Sequence, residues 1–148
     1  MDKLIYRFNN KGSQSSLNSK DILGGKGANL AQMAKLGLPV PPGFTISTRV
    51  CEHFYNNGNK IPDKVIKQTK KEINIIEKIT NKKFGSLSNP LLVSVRSGSK
   101  VSMPGMMDTI LNLGMNDKTV IALKNKTSNG RFAKDSYRRF IQMYSNVV

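Results

Sequence analysis

The sequence predicts an α/β (α+β) unit in which a small mixed sheet is covered by helices. Apolar runs of strand length recur around residues 4–8, 44–48 and 91–96, bounded by Gly, Pro and Asn. Between and after them, apolar residues repeat at helical spacing over 26–36, 48–57, 63–80 and 131–145. With 38% hydrophobic residues in 148, the chain can bury one core.

Leu4, Ile5, Tyr6 and Phe8 suggest the first strand. Ala28, Leu30, Met33 and Ala34 then follow one helical face until Gly37 stops it. Pro39-Val40-Pro41-Pro42-Gly43 fixes an extended corner before a second strand containing Phe44 and Ile46. Val50, Cys51, Phe54 and Tyr55 recur at helical spacing up to Gly58, which places Cys51 as a small core residue. Pro62 suits the first position of a helix whose Val65, Ile66, Ile73, Ile76 and Ile79 form an apolar stripe opposite a lysine-rich face.

Further on, Leu91, Val93 and Val95 alternate with Leu92, Ser94 and Arg96, the pattern of a largely buried strand whose last residue projects at an open sheet end. Thr109 to Leu113 suits a returning strand. Asp117 can cap a short helix through Val120, Ile121 and Leu123. Asn129-Gly130 turns into a last helix with Phe132, Ala133, Phe140, Ile141 and Tyr144 inward, and with Arg138 and Arg139 expected in solvent or paired with a remainder of the molecule outside this sequence.

Residues 91–109, LLVSVRSGSKVSMPGMMDT, carry chemistry that packing does not require. Behind Arg96 come Ser97, Gly98, Ser99, Ser102, Gly105 and Thr109, hydroxyls and unhindered backbone N–H groups of the kind that wrap phosphate oxygens. An arginine there wants an anion, and Asp108 is the first acidic residue near it. Upstream, LGGKGANL at 23–30 places two glycines before Lys26, which lets backbone pass close to a ligand near a helix start. It is not a Walker A loop, since position 20 is Lys where a Gly is required and position 27 is Gly. Alone, the run fits a turn followed by a solvated lysine as well as a phosphate site.

Taken together, GGKGANLAQMAKLGLPVPPGFTIST, PLLVSVRSGSKVSMPGMMDTILNLGMND and RFAKDSYRRFIQMYSNVV resemble, in that order, the N-terminal nucleotide-binding region of the pyruvate phosphate dikinase family. The match is looser over about 56–88. The resemblance implies an ATP-grasp-type N-terminal subdomain that binds ATP, with Lys26 and Arg96 as the catalytic, phosphate-gripping cations. Ser97, Gly105, Met107, Asp108 and Thr109 complete the implied nucleotide contacts. It implies transfer of the γ-phosphoryl to phosphate and of the β-phosphoryl to a histidine on another domain, in a cytoplasmic, homodimeric enzyme using Mg²⁺ with ATP. No metal ligand is expected among these residues, and the domains carrying the phosphohistidine and binding pyruvate or phosphoenolpyruvate are expected to be absent from 1–148. The fragment alone is then expected not to complete the reaction. The alternative is a non-catalytic fragment that associates with a separately encoded remainder. Gln32, Ser99, Lys134 and Asn146 depart from the family pattern, where Glu, Ala, Tyr and Asp are expected, and leave Lys26, Arg96 and Gly105 intact.

A net charge of +15 would ordinarily raise nucleic acid or an anionic membrane as partner. The charge is diffuse, with eighteen of twenty-four basic residues being scattered lysines, and no aromatic-basic interleaving or zinc-finger spacing supports specific nucleic-acid binding. One cysteine excludes an internal disulfide. His53 has no neighbouring nucleophile or carboxylate pair and is expected at the surface. No apolar run approaches the ~20 residues of a membrane span.

Overall fold

The computed structural model describes residues 3–9, 11–13, 20–98 and 109–148. By internal contact the chain divides into two units, Met1–Ile79 with Gly98–Pro104, and Thr80–Ser97 with Gly105–Val148.

In the first unit, β1 (Ile5–Asn9) is the centre of a three-stranded antiparallel sheet, flanked by β2 (Gly12–Ser13) and β3 (Gly43–Ile46). β1 and β3 pair from Ile5 opposite Ile46 to Phe8 opposite Gly43. α1 (Lys20–Lys35) packs on this sheet through Gly24, Gly27, Ala31 and Ala34, whose small side chains let the helix axis approach the strands. The helix ends as expected. The Gly37 N–H donates to the Ala34 carbonyl at 3.2 Å and the Leu38 N–H to that of Met33 at 3.1 Å, the bond pair of a left-handed glycine cap. α2 (Thr48–Asn56) is capped by Ser47, whose Oγ accepts from the Arg49 N–H at 3.2 Å while its own N–H donates to the Leu4 carbonyl at 2.9 Å. α3 (Asp63–Thr80) is tied to β1 by Arg7, which donates from both Nε and Nη2 to the Glu72 carboxylate at 2.7 and 2.9 Å. Pro62 precedes this helix by one residue, and its carbonyl accepts from the Val65 and Ile66 N–H groups.

The second unit is built on a hairpin. β4 (Val93–Arg96) pairs antiparallel with β5 (Thr109–Leu113) from Val93 opposite Leu113 to Arg96 opposite Thr109. One residue separates Val93 from Val95 but two separate their partners Ile110 and Leu113, so β5 carries a bulge, with Asn112 at φ 59°. The Asn112 side chain donates to the Ser136 carbonyl at 3.3 Å and so anchors the bulge to the last helix. α4 (Asp117–Thr127) and α5 (Gly130–Val147) pack on one another, and α5 packs on β5. Their buried contacts centre on Leu91, Met115, Thr119, Ala122 and Ala133.

Several sequence expectations need correction. The segments expected in one mixed sheet form two separate antiparallel sheets, because 91–96 finds its partner in the nearby 109–113 rather than in 4–8 or 44–48. The 91–96 strand is not largely buried: Leu91 is, but Val95 is 47% exposed. Cys51 is exposed, so the α2 face that sinks is the one bearing Val50. On α3 only Val65 and Ile76 are buried, with Ile66 and Ile79 exposed. On α5, Phe132, Ile141 and Tyr144 are exposed, and Ala133 and Ser136 take the inward positions. Asn116, not Asp117, caps α4: its Oδ1 accepts from the Lys118 and Thr119 N–H groups, both at 2.9 Å, and Thr119 Oγ1 accepts from the Asn116 N–H at 2.7 Å. Arg138 and Arg139 pair locally with Asp135, at 2.9 and 2.8 Å. His53 is exposed, as expected.

Candidate nucleotide-phosphate site

Lys26 belongs to the first unit. The helical segment begins at Lys20, six residues before it, and is interrupted at Gly24, where φ is 68° and ψ 169°, so the piece carrying Lys26 starts beside it, as expected. That backbone region is open essentially to glycine alone. The break separates a short piece ending at Leu23 from the longer piece that carries Lys26, so the Gly-Gly pair marks a bend inside the helical segment. The continuing piece is seated by Gly27: a Cβ there would lie 2.8 Å from Thr45 Cγ2 and 3.2 Å from Leu23 Cβ, so only a glycine allows this approach to β3. Gly98 comes near the bend, since a Cβ built on it would lie 3.8 Å from the Leu23 carbonyl oxygen and 4.0 Å from Gly24 Cα. The Lys26 side chain is half-buried and makes no ion pair or hydrogen bond among the described residues.

Arg96 and Thr109 belong to the second unit. Arg96 is the last residue of β4, as expected, and Thr109, the first of β5, is its Cα partner across the hairpin. The pair therefore marks the two ends of the 97–108 connection. The Arg96 side chain is exposed and, among the described residues, has no carboxylate or other acceptor, so the hairpin end does not use it as a structural ion pair there. Ser97 is exposed beside it. Gly105, Met107 and Asp108, the remaining expected nucleotide contacts, lie outside the described residues.

Chemically, the described residues offer a planar guanidinium at a strand end and an ammonium next to a helix bend, both suited to anionic oxygens. Among the described residues no group of three or more His, Cys, Asp or Glu side chains gathers to hold a metal ion. Two open basic depressions are lined by none of these residues. One involves Arg7, Lys11 and Lys35, the other Lys124, Arg131, Lys134 and Arg138. Among the described residues no helix is long and apolar enough to cross a membrane. Sequence reasoning missed the supports of the Lys26 bend, Thr45 and Thr48. Their only signal was the threonine spacing in Phe44-Thr45-Ile46-Ser47-Thr48, which is equally that of an ordinary strand.

Comparison with known proteins gives this chemistry a context. Residues 20–83 match the family described as pyruvate phosphate dikinase, AMP/ATP-binding domain, a match that contains Lys26 and stops short of Arg96. The whole chain is 56% identical over 148 residues to a pyruvate, phosphate dikinase of Rickettsia conorii, of which it covers 17%. It is 52% identical over 148 residues to that of Clostridium symbiosum, covering 16% of it. Over 130 residues, 88% of the chain, it is 57% identical to that of Entamoeba histolytica, covering 15% of it. The chain thus spans about one sixth of the length of these relatives.

Proposed function

We propose that this chain, which is similar over its whole length to pyruvate, phosphate dikinases and over residues 20–83 to their AMP/ATP-binding domain, binds the phosphates of Mg-ATP through Lys26 and Arg96 as the nucleotide-binding segment of such an enzyme. The observation that carries this is identity above 50% along the entire chain, combined with two cations that make no ion pair among the described residues. Arg96 bridges two phosphate oxygens with its fork, and Lys26 neutralises a third with a compact charge. Ser97, Gly105, Met107, Asp108 and Thr109 complete the phosphate loop with hydroxyl and backbone donors. The fold that does this is of ATP-grasp type.

In the complete reaction, ATP, pyruvate and phosphate become AMP, phosphoenolpyruvate and diphosphate. The γ-phosphoryl passes to inorganic phosphate, which forms diphosphate. The β-phosphoryl passes to a histidine on another domain and from there to the enolate oxygen of pyruvate. Phosphoryl transfer asks the protein mainly for positioning and charge neutralisation, which is what a lysine and an arginine supply. Mg²⁺ would enter with the ATP phosphates and add to the neutralisation of their charge.

Calorimetric titration of Mg-ATP into the 148-residue chain tests the proposal. Losing a charged hydrogen bond to phosphate costs about 2–5 kcal/mol, so Lys26→Ala and Arg96→Ala should each weaken binding ~30-fold or more. A chain that takes up no Mg-ATP, or variants that bind like the wild type, would overturn it.

A further inference from the structure

In the first unit the two pieces of α1 are held separately by the β3–α2 corner. Thr48 Oγ1, at the first position of α2, donates to the Asp21 carbonyl at 2.5 Å, on the piece that precedes the Gly24 bend. Three residues earlier, Thr45 in β3 lies against Gly27 on the piece that follows it, so close that a Cβ at 27 would stand 2.8 Å from Cγ2 and 3.0 Å from Oγ1. A glycine at φ 68° and ψ 169° does not by itself fix the angle between two helical pieces, because glycine has wide freedom in φ and ψ. The angle is set where each piece is fastened. Lys26 stands between the bend and the Gly27 contact, so the direction of its side chain depends on both fastenings.

We infer that Thr48 and Thr45 are positioning residues for Lys26: they clamp α1 on either side of its break and so hold the ammonium in a single orientation toward a nucleotide phosphate. This rests on the phosphate-binding reading of Lys26 given above. Neither threonine contacts the ligand. Their effect is to spare the bound state the cost of ordering the lysine and its turn.

The test is Mg-ATP titration of the full chain and of Thr48→Val, Thr48→Ser and Lys26→Ala, with thermal unfolding recorded for each. Valine keeps the shape of threonine and removes the hydroxyl, while serine keeps the hydroxyl. Thr48→Val should weaken binding about 3- to 10-fold, the range of one lost hydrogen bond, and Thr48→Ser should bind within about twofold of wild type. If Thr48→Val binds like wild type while Lys26→Ala is severely weakened, the clamp is refuted and the role of Lys26 stands. If Lys26→Ala binds like wild type, the phosphate reading fails and the clamp fails with it. Should Thr48→Val not fold, Thr45→Ser, which removes only the methyl packed on Gly27, decides in the same way.

Discussion

Arg7 and Glu72 stand 65 positions apart and form a bidentate pair, with side chains 27% and 15% exposed. The hydrogen bond that Arg7 donates to Glu72 raises the affinity of Arg7 for its proton above the ordinary value. A part-buried pair of this kind loses more than a fully exposed bridge does when one partner is cut, because the remaining charge is left less well solvated. Arg7→Ala should therefore lower unfolding free energy by about 1–3 kcal/mol in a denaturant titration, with Arg7→Lys recovering part of it. At Gly24, a Cβ meets a backbone conformation that costs of order 1–3 kcal/mol. Gly24→Ala should thus destabilise the chain and weaken Mg-ATP together. Tyr137 donates to the Asp117 carboxylate at 2.9 Å, and that bond holds the phenol above its usual range. The stability it contributes is present below the phenol's unfolded pKa and is lost as pH rises through the raised folded value. An absorbance titration of the phenolate should show one tyrosine ionising late, and Asp117→Ala should remove the delay.

Helix ends were the most legible elements, since caps are written in consecutive residues. Asn129 and Gly37 do what their chemistry requires: the Asn129 side chain accepts from the Phe132 N–H at 2.9 Å, and Gly37 adopts φ 74°. The cap of α4 was displaced by one residue because Asn116 and Asp117 are both good caps, and only the hydrogen bonds to Lys118 and Thr119 separate them. Asn116→Ala should cost about 1 kcal/mol in thermal or denaturant unfolding. Helical periodicity located α3 and α5, but a stripe says which residues share a face and not what covers it. Hence Phe132, Ile141 and Tyr144 were expected inside and stand exposed. Strands were legible singly, whereas their partners were not, because pairing is a long-range choice that alternation does not encode. On α5, the hydrogen bond from Arg138 holds the Asp135 carboxyl below the ordinary carboxylate range, assisted by the charges of Arg139 and Arg138. Its contribution is present above the unfolded carboxylate pKa and is lost as pH falls through the lowered one. Asp135→Asn should therefore flatten part of the acid limb of a stability–pH curve.

At the scale of the molecule, charge and site make separable predictions. A net charge of +15 should draw the chain to any polyanion at low salt. Duplex DNA held in this way should be released steeply between about 50 and 200 mM salt. Lys26→Ala and Arg96→Ala should barely change that retention, since each removes one of twenty-four basic residues. Against Mg-ATP the same two changes should be severe. The two candidate cations were legible as chemistry, one ending a strand and one beside two glycines. What no local pattern conveyed was the support: the bend at Gly24, and the seat of Gly27 on Thr45 and the bond from Thr48 to Asp21, which join segments 18 and 27 residues apart.

The most direct measurement is a nuclear magnetic resonance titration with Mg-ATP that follows the Lys26 ammonium and the Arg96 guanidinium in the same sample. Both signals should shift with one shared dissociation constant, while the ammonium of an exposed lysine such as Lys118 stays still. Shifts at only one of the two cations, or two different constants, would contradict the account.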